Sequence, residues 1–315
     1  MRSDQARRSE AWADGLHMDL RLSGPPIDLY AIARRQNINR IKLCPMIHRG
    51  ALLATSTGFQ VLLRHPELRE FDLNTPEHPY LLNAQQRFTL AHEIAHTHFY
   101  QDPKGKLVPT SEAKEYAYSG EIRLEKICDR LASRILVPAR ILESDIKNLL
   151  NNESQRIDSG LLRALVRRYR TSYEVMIRRL HETYPKNTFR RCILLVRKRH
   201  GDCQVSAWYM GRSFSDLSPI PEQFSPVRNW FQELPLSILE REPNAGWKIV
   251  RSGRELAVQK FPIGKRGEFI LQIDDPMNTA PSSNFPWHGS RVRHRGLSLP
   301  STPSNSHLQL DLEWP

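Results

Sequence analysis

Between Asn83 and Phe99 the chain sets Phe88, Ala91, Ala95 and Phe99 at steps of three and four residues, and the run His92-Glu93-Ile94-Ala95-His96 lies inside that stretch. Such spacing specifies a helix with a wide apolar face, and hence a buried helix. Asn83 followed three residues later by Gln86 supplies a capping box at its start, and Pro103-Lys104-Gly105 ends the unit. Residues four apart on a helix advance about 400° and about 6 Å, so the His92 and His96 imidazoles leave the same face and can share one ion. Glu93 is turned from His92 by about 100°, where its carboxylate reaches a water at such an ion and can accept a proton from it. A surface helix with two idle histidines would not carry these apolar flanks, and neutral histidines that face an interior need a partner.

A hydrolytic zinc site needs a third protein ligand and an open position for water. The extension that places a glycine and a third histidine on the same stretch is excluded, because Phe99 and Asp102 occupy those places. A carboxylate from a downstream helix remains, with Glu112, Glu115, Glu121 and Glu125 as candidates. Glu112 and Glu115 lie on a polar stretch. Residues 121–136 read as a strong helix through Ile122, Leu124, Ile127, Cys128, Leu131, Ile135 and Leu136, stopped by Pro138. Glu125 lies on the side of that helix that carries Cys128 and Ala132, a side expected to face the core, where a carboxylate must be paired. Asp129, one turn on, is placed to accept the second N–H of a ligating histidine.

Arg87-Phe-Thr-Leu-Ala-His-Glu-Ile-Ala-His96, followed by Glu125-x-x-Cys128-Asp129-x-x-Ala132 and by Leu136-Val137-Pro138, resembles the ImmA/IrrE family of metallopeptidases. Pro25–Ile38 is similar to that family's opening helix, so the likeness spans roughly residues 25–140. The resemblance implies a zincin-like domain in which His92, His96 and Glu125 hold Zn2+ and Glu93 is the catalytic glutamate. It also implies a regulator that cleaves a helix-turn-helix repressor, switching on stress-response or mobile-element genes. Asp129 stands where the family commonly has Asn, Val137 where it often has Met, and the interval of 29 residues from His96 to Glu125 is long. These departures remove no ligand.

The rest of the chain reads as an α+β molecule in five segments. Residues 1–23 are expected to be a frayed leader, and 24–152 the zinc peptidase-like domain, with strands across 41–64. Residues 153–186 hold two short helices, Leu161–Arg170 and Ser172–Glu182, with Thr171 and Glu174 as a capping box between them. Net charge is +12, and Ser154–His200 carries thirteen Lys/Arg against Asp158, Glu174 and Glu182, a net of +10. If these helices form a helix-turn-helix, Arg163, Arg167, Arg168, Arg170, Arg178 and Arg179 face outward, available to DNA phosphates or an acidic repressor. The bland reading is a basic hairpin that supports the peptidase domain. Residues 187–275 read as an antiparallel sheet of five strands with one helix at Val227–Glu240, an architecture shared with sensor-like domains. Residues 276–315 read as a disordered Pro/Ser-rich tail.

Four scattered cysteines and the lack of an apolar leader or long apolar run fit a cytoplasmic protein without a membrane anchor. Two function classes follow. The first is a zinc metallo-endopeptidase acting on a DNA-binding repressor. The second is a non-catalytic zinc-containing regulator that binds DNA or sequesters a repressor. A structural zinc has no need of a general base beside it and usually closes with four protein ligands, which favours the first class. His98, Tyr116 and Tyr118 are candidates for stabilising an oxyanion.

Overall fold

The computed structural model describes residues 3–21, 24–73, 82–100, 121–149, 158–184, 191–199, 202–210, 246–251, 254–263 and 268–274. Glu112, Glu115, Tyr116, Tyr118, the helix expected at 227–240 and the tail 276–315 lie outside them. The described elements run α1 (Ser3–Asp19), α2 (Leu29–Arg35), β1 (Ile38–Cys44), β2 (Gly50–Thr55), β3 (Gly58–Arg64), β4 (Arg69–Asp72) and α3 (Ala84–Thr97). They continue with α4 (Glu121–Leu136), α5 (Ala139–Leu149), α6 (Ser159–Tyr169), α7 (Tyr173–Thr183), β5 (Arg191–Arg199), β6 (Asp202–Met210), β7 (Gly246–Arg251), β8 (Arg254–Ile263) and β9 (Glu268–Asp274). No described helix is long and apolar enough to cross a membrane.

The first sheet has the order β2-β3-β1-β4, with β1 and β3 parallel and the outer pairs antiparallel. The inward sides of β1 and β3, Ile38, Ile41, Leu43, Phe59, Val61 and Leu63, are fully or almost fully buried. The turn between β2 and β3 works because Gly58 adopts φ 150°, and a Cβ there would collide with the Asn37 carbonyl oxygen. That close approach lets the Phe59 N–H donate to Asn37 O at 2.7 Å. Strand β2 is an edge of this sheet, and α3 packs against β2, β3, α2 and α4.

The segment expected to fray is the helix α1, packed on α4. Trp12, Ala13, Leu16 and Leu20 form a stripe at helical spacing within a charged sequence; Ala13 is 0% and Leu16 4% exposed. The charges that resembled a solvated leader are paired: Glu10 with Arg130 (3.0 Å) and Arg134 (3.0 Å), and Asp14 with Arg134 (3.3 Å). Burial of a Leu side chain is worth about 1.5–3 kcal/mol, whereas a largely buried pair such as Glu10–Arg134 returns little beyond the cost of desolvating its charges. The apolar stripe therefore holds α1, and the ion pairs fix how it lies.

His17 on the same helix is 7% exposed. Burial pulls its imidazole down to about 4, with the Arg134 backbone and the Asp14 carboxylate opposing and Arg179 assisting. Unfolded, the group titrates near 6.5 and binds a proton that the folded form rejects. Its contribution is thus complete above pH 6.5 and lost as pH falls from 6.5 towards 4. Between pH 7 and pH 5 that loss is about 2 kcal/mol. Urea unfolding of wild type and His17→Gln at both pH values measures it: the variant should lose less stability on acidification. Equal losses would show that His17 is not the sensitive group.

The second sheet is antiparallel throughout, as the strand pattern predicts, and its strands take the order β6-β5-β9-β8-β7. One face carries Ile193, Leu195, Ala207, Tyr209, Ile263 and Ile270 into the core that also contains α3 and α4. The other carries Cys192, Leu194, Val196, Val205, Leu256, Val258, Phe269, Leu271 and Ile273 into a second cluster. Helix α7 is the contact, packing on β6 and β5 as well as on α4.

The helical pair α6–α7 corrects two sequence readings. Its second helix is capped by Ser172, whose side chain accepts from the Val175 N–H, and Thr171 is buried at 3% exposure. Glu174 instead pairs with Arg178 (3.2 Å) and Arg197 (3.0 Å). Arg179 does not face outward; at 1% exposure it donates from Nε to Val137 O (2.9 Å) and from Nη1 to Glu182 Oε2 (2.6 Å). The end of α4 covers that side of α7, which a helical wheel does not show. Arg168 pairs with Asp145 (2.8 Å), and Arg170 donates to Leu82 O (3.1 Å). Of the six arginines, Arg163 and Arg167 are exposed and have no ion-pair partner among the described residues.

Candidate metal centre

Helix α3 begins with the capping box expected of it: Asn83 Oδ1 accepts from the Gln86 N–H (2.9 Å) and Gln86 Oε1 from the Asn83 N–H (3.1 Å). Arg87 then fixes the helix on its axis. It is 7% exposed and donates from Nη2 to Ile27 O at 2.9 Å, tying the helix to the entry of α2. Burial pulls the Arg87 guanidinium down to about 10, within the range where it stays charged. At the far end Thr97, fully buried, donates to Gln36 Oε1 (3.2 Å) and Ile94 O (2.7 Å). Held at both ends, the helix has little freedom to rotate the face it presents to α4.

That face carries His92 and His96, whose Nε2 atoms lie 3.1 Å apart. Glu125 of α4 meets both, Oε2 at 3.0 Å from His92 Nε2 and Oε1 at 3.3 Å from His96 Nε2. Ligand bonds of about 2.0–2.1 Å in a tetrahedron imply donor separations of about 3.3 Å, so this triangle has the size a zinc-type ion requires. Among the described residues this group of three could hold a metal ion. Asp129 Oδ1 lies 2.9 Å from His92 Nδ1. With Nδ1–H donated to that carboxylate, the Nε2 lone pair points into the triangle. His96 Nδ1 stands 3.5 Å from Cys128 Sγ, a weak acceptor for the corresponding proton.

Electrostatics favour a cation here. Burial opposes charge on His92, but its hydrogen bonds to Asp129 and Glu125 more than offset that and push it up to about 9. The bonds from His92 and His96 hold the Glu125 carboxyl well below the usual carboxylate range. The carboxylates of Glu125, Asp129 and Glu93 thus favour a positive charge at His92, and an ion held in the triangle would take the place of the His92 Nε2 proton. The histidine side chains are 12% and 14% exposed, whereas Glu125 and Asp129 are 48% and 43% exposed, so the triangle opens to solvent along the α4 side.

Glu93 is 6% exposed, and burial raises its carboxyl above the ordinary value, with the His96 and His92 charges opposing. Its neighbour is Gly50, the first residue of edge strand β2. A Cβ at Gly50 would stand 2.7 Å from Glu93 Oε1 and would collide with Thr89 Cγ2. Gly50 therefore belongs to the site through its missing side chain, which the sequence showed only as punctuation. His98, a candidate oxyanion group, packs its ring on Trp12 (4.6 Å between centroids), and burial pulls it down to about 4.

Residues 78–181 match the M78 peptidase family model, described as the IrrE N-terminal-like domain. The match contains α3, α4 and every residue of the triangle. Over these residues the chain is similar to the ImmA/IrrE type. A solved structure described as a Mycobacterium tuberculosis transcriptional regulator is similar at a TM-score of 0.47 and 13% identity, over 86% of this chain and 77% of that one. No curated protein matches the chain. The match points to a metallopeptidase-like domain, and it ends within α7, before the second sheet begins.

Proposed function

We propose that this chain is a zinc-dependent endopeptidase that makes a specific cut in a DNA-binding repressor protein. The observation that carries the reading is a buried carboxylate, Glu93, on the same helix as an open triangle of two imidazoles and one carboxylate. His92, His96 and Glu125 would hold the ion, and with three protein ligands a position stays open for reactants. When bound, the zinc supplies Lewis acidity that polarises a scissile carbonyl and acidifies water. Glu93 accepts the proton of the attacking water and hands it to the leaving amine; its raised basicity suits both steps. Strand β2, beside Glu93, is an edge among the described residues and would pair with an extended peptide, which would place the scissile bond over the triangle.

The second sheet, at 187–275, is then the regulatory part and α6–α7 the joint that connects it to the peptidase. The pairing of Arg168, Arg170, Arg178 and Arg179 within the molecule supports a joint, which leaves Arg163 and Arg167 as the residues on which a DNA contact would rest.

New protein N-termini in cells that express the chain test the function. Wild type should generate one or a few discrete N-termini within a DNA-binding protein, and Glu93→Gln should generate none of them. An identical set of N-termini in both would rule out the peptidase reading.

A further inference from the structure

Beside the metal centre lies a cavity of about 220 Å³, lined among others by Arg49, Arg64, His65, Asn83, Gln86 and Thr89. We infer that it is a substrate subsite that takes the carboxylate of a Glu or Asp side chain about two residues from the scissile bond. The inference rests on the peptidase reading and specifies its substrate.

Position and charge carry it. Arg49 immediately precedes β2 and Arg64 ends β3; the Arg64 N–H donates to Arg49 O at 3.0 Å, so the two cations are neighbours across the strand pair. His65 follows, anchored by its N–H to Cys44 O (3.0 Å), while the Glu67 N–H donates to its Nδ1 (3.0 Å). No carboxylate lines the cavity, and neither Arg49 nor Arg64 has an ion-pair partner among the described residues. Gln86 and Thr89, 8% and 6% exposed, form its inner side at the start of α3, where the helix dipole also favours negative charge. Arg64 Nη1 donates to the Ile47 carbonyl oxygen (3.4 Å), which carries no charge, so an incoming carboxylate supplies the counterion that the two arginines lack among the described residues.

Thr89 connects this cavity to the chemistry. It lies one helical turn, about 6 Å, before Glu93, and both touch Gly50 of β2. An extended peptide advances about 3.3 Å per residue with alternate side chains on one face. A peptide laid along β2 with its scissile bond at Glu93 therefore brings a side chain two residues away to the cavity. The carboxylate of that side chain would meet the guanidiniums of Arg49 and Arg64.

Binding is measured with the full-length chain carrying Glu93→Gln, loaded with zinc, and two fluorescent randomised peptide pools that differ in one fixed central residue, Glu or Gln. A charged hydrogen-bonded contact of this kind corresponds to about tenfold in affinity. The Glu pool should bind about tenfold more tightly than the Gln pool, and Arg49→Ala or Arg64→Ala should abolish the difference while zinc content stays unchanged. Equal affinities for the two pools would overturn the subsite, even in a protein that cleaves. Displacement by inorganic phosphate without any preference for Glu would also overturn it, assigning the cavity to a free anion. Cleavage-site profiling of proteome-derived peptides by wild type keeps the two readings apart. Cuts without acidic enrichment overturn the subsite alone. Absence of cuts overturns the peptidase, and the binding comparison still decides the subsite.

Discussion

Glu93→Gln should lower the rate of repressor cleavage by about 10² to 10⁴ while leaving zinc content and thermal unfolding unchanged. The substitution keeps the size and the hydrogen-bonding reach of the side chain but removes the group that accepts a proton. Glu93 is not a member of the triangle, whose edges are His92–His96, His92–Glu125 and His96–Glu125. The ion should therefore stay. The carboxylate is also costly to bury, as its raised basicity shows, so the amide should not weaken the fold. Cleavage and derepression should be measured in the same cells. Loss of both supports the catalytic reading. Loss of cleavage with derepression intact would show that the chain acts by holding its target, the non-catalytic alternative.

Glu125→Ala should reduce zinc occupancy by roughly tenfold or more, because it leaves two imidazoles where three donors converge. The effect has a second component. Glu125 and Asp129 are the carboxylates hydrogen-bonded to His92, and removing one lowers the negative potential that attracts a cation. Asp129→Ala, which touches no ion directly but removes the acceptor of the His92 Nδ1–H, should lower affinity by about 10- to 100-fold through the orientation of His92. Metal content by mass spectrometry after dialysis against a fixed free zinc concentration measures both. Full occupancy in Glu125→Ala would move the third ligand elsewhere, with Glu112 and Glu115 the next carboxylates to replace.

Much of the centre is legible in the sequence because it is local. The Asn83–Gln86 box, the four-residue histidine step and the burial of α3 all follow from residues within one or two turns of each other. Glu125 and Asp129 lie some thirty residues downstream, yet they share one turn of α4, so helical periodicity alone puts them on one face. What could not be read is set by contacts between elements. Helix α1 hides its apolar stripe among charges whose partners, Arg130 and Arg134, lie more than a hundred residues away. Arg179 has the spacing of an outward residue, and the end of α4 covers it all the same. The short strand β4 has too few residues to establish an alternation, and it forms because β1 offers a free edge. Gly50 carries no side chain to interpret, and only its distance from Glu93 shows what it does.

The core that holds α3 also contains Ile263 of β8 and Ile270 of β9. A ribosome that has released the chain only through α7 has delivered every residue of the metal triangle but not the sheet against which α7 packs. On that nascent chain α7 still lacks its cover, although its Arg179 is what grips the end of the helix bearing Glu125. The last-made strands therefore close the structure around the first-made helices. A polypeptide cut short by premature termination before β9 would carry His92, His96 and Glu125 without the finished scaffold that holds them in place.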